Sequence, residues 1–427
     1  MAAARAGCLH SRRTDPRHRC RRQGRNLRPR PPVGRARHRR PHHLVRGRGT
    51  ARRLRPGADH GPWRDRRRIH LAGSRSRRDP ARRHAKARGS RVMQTTSTRA
   101  SLAILRSAPA LLFVAVVVLF AILAPRFLEV QNFANILTQS ANVAIVAVGM
   151  TFVLLLAGVD LSVGAAMYVC AAVAGLYFKD LPAPAAMALM TAIGALFGAI
   201  NALFIVGLGI AAFVVTLATL FVGRGLALHL SQTKMVFAGD PVLTFGQGGF
   251  LGISYAVWTM AAVLLVALWV QQWTPYGRYL YAIGADRDGA RKAGIPVRRV
   301  VFATYVLCGA LAGLGGFVSF SQVAAASSGF GLQKEFPVIA AAVLGGTSLF
   351  GGRGGVLGSV FGAILIQTVQ NGLVLLNANP YLYPLVISAI IFIAVLLDSQ
   401  RTRILARLTR RQIRIEPGIE ARRSTAT

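Results

Sequence analysis

Acidic residues are scarce in this chain: 14 Asp and Glu stand against 53 Lys and Arg in 427 residues. Cysteine is scarcer still, with four, Cys8, Cys20, Cys170 and Cys308, and none of them sits in a CxxC or other metal-ligand spacing. Nothing therefore points to a cysteine metal site, and Cys170 and Cys308, each single in an apolar run, are expected to be buried, reduced thiols. Beyond residue 92 the only histidine is His229, placed at the end of an apolar run as an interfacial residue. HExxH is absent, and the nearest approach to a GxSxG nucleophile turn is GTSLFG at 346–351, where Phe350 takes the place of the second glycine. A hydrolase reading thus finds no recognisable pairing of nucleophile and base. No Gly-Lys pair occurs, so there is no GxxxxGK[ST] loop, and any ATP used must be hydrolysed by another chain.

The charge that is present is unevenly placed. Residues 1–92 hold 30 arginines, one lysine, eight of the nine histidines and four acids, Asp15, Asp59, Asp65 and Asp79. They show no apolar period, so this segment cannot offset its ordering entropy by burial and is expected to be disordered. A basic arm for nucleic acid or an anionic membrane surface is one reading. The reading adopted here is that an Arg-over-Lys bias of this size, mixed with Gly, Pro, His and Ala, is GC-rich DNA read out of frame, with Met93 as the natural start. A transit peptide would be amphipathic and nearly free of acids, which this segment is not. No nucleic-acid partner is expected.

The body reads as an all-α polytopic membrane protein, with membrane lipid as its surroundings. Crossing the hydrocarbon takes about 20 mainly apolar residues. Runs of this kind lie at 109–124, 141–157, 161–178, 183–206, 210–230, 255–270, 300–323, 336–349, 354–376 and 381–397, ten in all, with 336–349 short enough to be re-entrant or broken. Basic loops stay in the cytoplasm. The loop 271–299 carries Arg278, Arg287, Arg291, Lys292, Arg298 and Arg299 against Asp286 and Asp288, and the tail beyond Leu397 has eight arginines against three acids. The stretch 231–254 holds only Lys234 and Asp240. Both termini and the 271–299 loop are therefore expected inside, with six crossings before the loop and four after it.

Polar residues inside these runs are the candidate functional ones. Asp160, in GMTFVLLLAGVDLSVGA, is too costly as a bare charge in mid-helix. It is expected to cap the helix that begins at Leu161, accepting from the N–H groups of Ser162 or Val163, with Gly158 closing the preceding helix. A direct role in a ligand path is the alternative. Arg224, flanked by Gly223 and Gly225, must find a carboxylate such as Asp160, backbone carbonyls, or the water of a central path. Gln367, Gln370 and Asn371 cluster on one run and either bond neighbouring helices or face a pore. Glycines four apart, at 194 and 198, 309 and 313, and 354, 358 and 362, are expected to let helices pack closely. In the 271–299 loop, Pro275 and Gly277 read as turn residues. A short helix over 286–293 follows, with an acid near its start, Arg291 and Lys292 near its end and Gly294 as its stop. Small residues at Gly289 and Ala293 make it a candidate docking element.

GMTFVLLLAGVDLSVGA, GRYLYAIGADRDGARKAGIPV, AAAVLGGTSLFGGRGGVLGSVFGAILI and QNGLVLL, in this order, resemble the permease subunits of ribose-type monosaccharide ABC importers, over nearly all of residues 111–398. The leader before Met93 has no counterpart. The resemblance implies a multi-pass subunit of the bacterial cytoplasmic membrane, spanning 93–398 with a basic cytoplasmic tail at 399–427. It implies a pair of such subunits, two cytoplasmic ATPase domains that hold ATP and magnesium, and an extracytoplasmic sugar-binding protein; no cofactor is implied for this chain. Gly277, Gly284, Asp286, Ala290, Arg291 and Gly294 would form the element coupled to the ATPase. The 158–164 junction and the glycine-dense 345–358 segment would shape the path. An ion-coupled secondary transporter, or a permease for another small solute such as a branched-chain amino acid, are the alternatives.

Overall fold

The computed structural model describes residues 113–389, together with Phe392 and Leu396. The Arg-rich segment 1–92, the start at Met93 and the tail 399–427 lie outside the described residues.

Long apolar runs fold as helices because a helix satisfies every backbone group within its own segment, as hydrocarbon requires. Helix α1 (Phe113–Leu123) leads through a 3-10 turn at Pro125–Leu128 into α2 (Val130–Leu155). Then come α3 (Val163–Tyr177), α4 (Ala183–Ala202), extended by a π turn to Gly207, and α5 (Ala212–Ser231). A short helix α6 (Asp240–Gln247) precedes α7 (Tyr255–Trp273), α8 (Pro275–Ala285) and α9 (Arg287–Lys292). The chain continues with α10 (Val297–Val323), α11 (Glu335–Leu344) and α12 (Val356–Leu375), and is helical again from residue 382. Six of these helices are long and apolar enough to cross a membrane: α2, α4 with its π turn, α5, α7, α10 and α12. Phe113–Leu123, α3 and α11 are shorter apolar helices. The apolar run at 381–397 passes out of the described residues.

Among the described residues, sheet is confined to two clips. β1 (Val236–Phe237) pairs antiparallel with β4 (Ala325–Ala326), tying the segment after α5 to the end of α10. β2 (Gly249–Phe250) and β3 (Ile253–Ser254) form a hairpin before α7.

Helices α2 and α10 make the centre, α10 packing along α4 and α2, and α2 also against α12. Their side chains are largely buried, whereas α5 and α7 leave most of theirs exposed or half-buried, as the outer layer of a lipid-facing bundle does. The glycines at 194, 198, 309 and 313 explain the tightest contact. A Cβ on Gly194 would strike the Gly309 carbonyl, one on Gly309 the Gly194 carbonyl, and one on Gly198 the Tyr305 carbonyl. The two GxxxG pairs pack on each other, so backbone meets backbone where neither helix carries a side chain.

Two of the departures from the sequence expectation have a plain local cause. Helix α2 starts at Val130 rather than at 141, because Gln131, Asn132, Asn135 and Gln139 depress the apolar signal without interrupting the helix. Pro275 and Gly277 do not make a turn: Pro275 opens α8, where its missing N–H costs nothing, and Gly277 lies inside that helix.

Candidate functional site

Helices α8 and α9 form a capped, two-part outcrop. Thr274 caps α8 by accepting from the Gly277 N–H at 3.4 Å. Gly277 is required by contact, since a Cβ there would strike the Gln271 carbonyl. At the far end of α8, Gly284 has no room for a side chain beside the Leu155 carbonyl, which brings α8 to the last turn of α2. Asp286 caps α9, its Oδ1 accepting from the N–H groups of Asp288 and Gly289 at 3.1 Å each. The helix ends in a Schellman motif: Ile295 N–H donates to the Ala290 carbonyl at 3.1 Å, and Gly294 N–H to Arg291 at 3.1 Å. Gly294 takes φ +81°, with nothing within 4 Å of where a Cβ would stand.

Ala290 and Arg291, both assigned to the coupling element, lie on α9 but differ in burial. Ala290 is buried and seats α9 on the body, while Arg287, Asp288, Arg291 and Lys292 are exposed. Arg291 lies 3.7 Å from Asp288, an exposed pair that adds little to stability.

Three side chains that the sequence reading did not single out wire α8 into the bundle. Tyr276 and Thr304 share a hydroxyl hydrogen bond of 2.7 Å, joining α8 to α10. Tyr281 donates to the Gly354 carbonyl at 2.7 Å, just ahead of α12. Gln271, on the last turn of α7, donates to the Tyr281 hydroxyl at 2.5 Å and accepts the Val356 N–H at 3.2 Å. Burial pushes the Tyr276 phenol up to about 12 and raises that of Tyr281, so both stay neutral donors at physiological pH. Hydrogen bonds thus tie α8 to α7, α10 and the start of α12, and packing at Gly284 ties it to α2.

Asp160 sits between α2 and α3, 1% exposed. Its Oδ1 accepts the Ser162 N–H at 2.9 Å and the Ser162 hydroxyl at 2.6 Å. The cap position itself belongs to Ser162, and α3 begins at Val163 rather than Leu161. Asp160 closes a turn just ahead of the helix because Leu161 and Ser162 are still in turn conformation. The chain of bonds goes on: Asn201 of α4 donates to the Ser162 Oγ at 2.8 Å, and Thr219 of α5 donates to Asn201 at 2.7 Å. Asn201, alone among apolar neighbours in GAINALF, was the available signal for this network.

Arg224 is not paired with Asp160. It donates to the carbonyls of Phe330 at 2.6 Å and Ser328 at 3.4 Å, and its guanidinium lies 5.3 Å from the centre of the Tyr168 ring. Arg224 thus pins α5 to the loop before α11, the backbone-carbonyl solution among those open to it. Gln367 donates to Gln139 of α2 at 2.9 Å. Gln370 is half-buried on the same helix, and Asn371 turns a buried Oδ1 to no donor among the described residues.

Many apolar helices with buried polar links between them define a multi-pass membrane protein. Residues 132–396 match the family described as the permease component of branched-chain amino acid transport systems, and the chain belongs to that family. It is 37% identical over 297 residues to the ribose import permease protein RbsC of Escherichia coli strain K12, covering 67% of this chain and 92% of that protein. Identity to the ribose import permease protein RbsC of Bacillus subtilis strain 168 is 40% over 297 residues, covering 67% and 90%. The D-allose transport system permease protein AlsC of Escherichia coli strain K12 is 33% identical over 291 residues, covering 66% and 88%. No solved structure matches the chain.

Proposed function

We propose that this chain is the membrane-spanning subunit of an ATP-binding-cassette importer that carries a monosaccharide, a ribose-like pentose or a hexose, across the bacterial inner membrane. It works as a pair with a second copy or a similar permease. Two cytoplasmic ATPase domains bind ATP and magnesium, and an extracytoplasmic binding protein brings the sugar. The similarity to ribose and allose permeases over about nine-tenths of their length carries the solute class.

The geometry of α8 and α9 supports the coupling step. The exposed face of α9 docks on the ATPase, and closure of that partner moves α9 and α8 together. Tyr276, Tyr281 and Gln271 pass the movement to α10, α12 and α7, which rearranges the path between its two openings. The chain itself performs no chemistry.

The test is reconstitution of the tagged chain with the ATPase and binding protein that co-purify with it. ATP-dependent uptake of D-ribose or D-allose into vesicles is the expected result. Uptake driven by an ion gradient without ATP, or uptake of L-leucine and no sugar, overturns the reading.

A further inference from the structure

The first turns of α2 are polar where a spanning helix should be apolar. Gln131, Asn135 and Gln139 recur every fourth residue, and all three are exposed. Amide side chains at such positions are costly against lipid and are retained where they face a polar space. Gln139 is taken up by Gln367, whereas Gln131 and Asn135 bond only to each other, at 3.3 Å, among the described residues. Each carboxamide therefore keeps donor and acceptor capacity to spare.

Those two residues line a cavity of about 470 Å³, together with Thr138 of α2, Gln247 at the end of α6, Ser254 just ahead of α7, three glycines, and the apolar side chains of Ala134, Leu137, Ile253 and Val257. No charged and no aromatic side chain is among its lining residues. Its α2 wall is held in place, because Gln322 of α10 donates to the Thr138 carbonyl at 2.7 Å. The cavity lies at the start of α2, while α8 meets that helix at its other end, at Leu155.

We propose that this cavity is a receiving site for a neutral, polyhydroxylated solute, its hydroxyls read by the carboxamides of Gln131 and Asn135 and the hydroxyl of Thr138. The inference rests on the importer reading above, under which this end of α2 is the extracytoplasmic mouth. A carboxamide donates and accepts side by side, as a pair of neighbouring sugar hydroxyls also does. The lining offers no cation for a sugar phosphate and no opposed charges for an amino acid. It offers no aromatic face on which a sugar ring could stack and stay. The site is selective by polarity and weak by construction, which suits a solute that has to move on.

Asn135→Leu removes the carboxamide while keeping its branched heavy-atom skeleton, and Thr138→Val replaces only a hydroxyl by a methyl. Each is made in the full chain and reconstituted with its ATPase and binding protein. The readout is radiolabelled D-ribose or D-allose carried per ATP hydrolysed, with L-leucine as the charged comparator. Loss of one or two hydrogen bonds lowers sugar carried per ATP by about tenfold. Asn135→Gln, which keeps the carboxamide, restores most of it. Wild-type sugar transport with both variants unimpaired overturns this site and leaves the importer reading standing. A wild-type assembly that carries leucine and no sugar overturns both. If Asn135→Leu is lost from the membrane, Thr138→Val decides alone, by the same two outcomes.

Discussion

The Tyr281 hydroxyl donates to the Gly354 carbonyl at 2.7 Å, joining α8 to the glycine-dense loop that leads into α12. This bond crosses 73 residues of sequence and connects α8 to the segment that opens α12. Tyr281→Phe removes it with little change in shape. The expected cost is about 1 kcal/mol of stability, with the subunit still inserted. ATP hydrolysis per sugar carried should rise in the reconstituted importer. Unchanged coupling in that assay would show that α8 transmits through packing alone.

Gly294 separates a backbone requirement from a docking one. Its φ of +81° disfavours any side chain, yet the space around it is open. Gly294→Asn, which tolerates that conformation, should transport sugar nearly as wild type. Gly294→Arg adds strain of about 1 kcal/mol and a bulky charge beside the exposed residues of α9. It should insert normally and hydrolyse ATP without transport, as read by membrane yield and vesicle uptake.

Tyr276 gives the fold a limit on the alkaline side. Burial raises its phenol from the ordinary 10.0 to about 12, so the folded state holds the proton more tightly than the unfolded one. Its contribution is complete below 10.0 and declines as pH rises from there toward about 12. The melting temperature of the detergent-solubilised protein should fall across that window. Tyr276→Phe should be less stable at neutral pH, through loss of the Thr304 bond, and flatter above it. Tyr281 moves in the same direction, so the double Phe variant should be flatter still.

Asp160 is tested by a pair of substitutions. Asp160→Asn keeps an oxygen to accept from Ser162 and should retain yield. Asp160→Ala leaves the Ser162 N–H and hydroxyl without their acceptor inside the bundle. It should cost about 1–3 kcal/mol and lower the amount of folded subunit recovered. Normal yield with abolished transport in both variants would mean that the carboxylate meets the solute.

How far the sequence could be read depended on whether a signal was local. The apolar runs at 183–206, 210–230 and 300–323 fall within a few residues of α4 with its π turn, α5 and α10, because hydrocarbon thickness sets the length of a crossing helix. Asp286 and Gly294 were legible as the start and stop of α9, since both act on backbone a few residues away. The first turns of α2 were missed, because residues that face a polar space do not add to an apolar count.

By itself the sequence determined what each segment is able to do: the apolar runs had to become helices, and the glycine pairs had to lie where helices touch. It also shows neither a GxxxxGK[ST] nor an HExxH pattern. Tertiary structure decided the partners. Only the packing sends Arg224 to the Phe330 carbonyl and not to Asp160, links Asp160 through Ser162 and Asn201 to Thr219, and sets the glycines of α4 on those of α10. The reason is physical: a buried polar group takes whichever complementary atom the fold brings within about 3 Å, and that atom is distant in sequence.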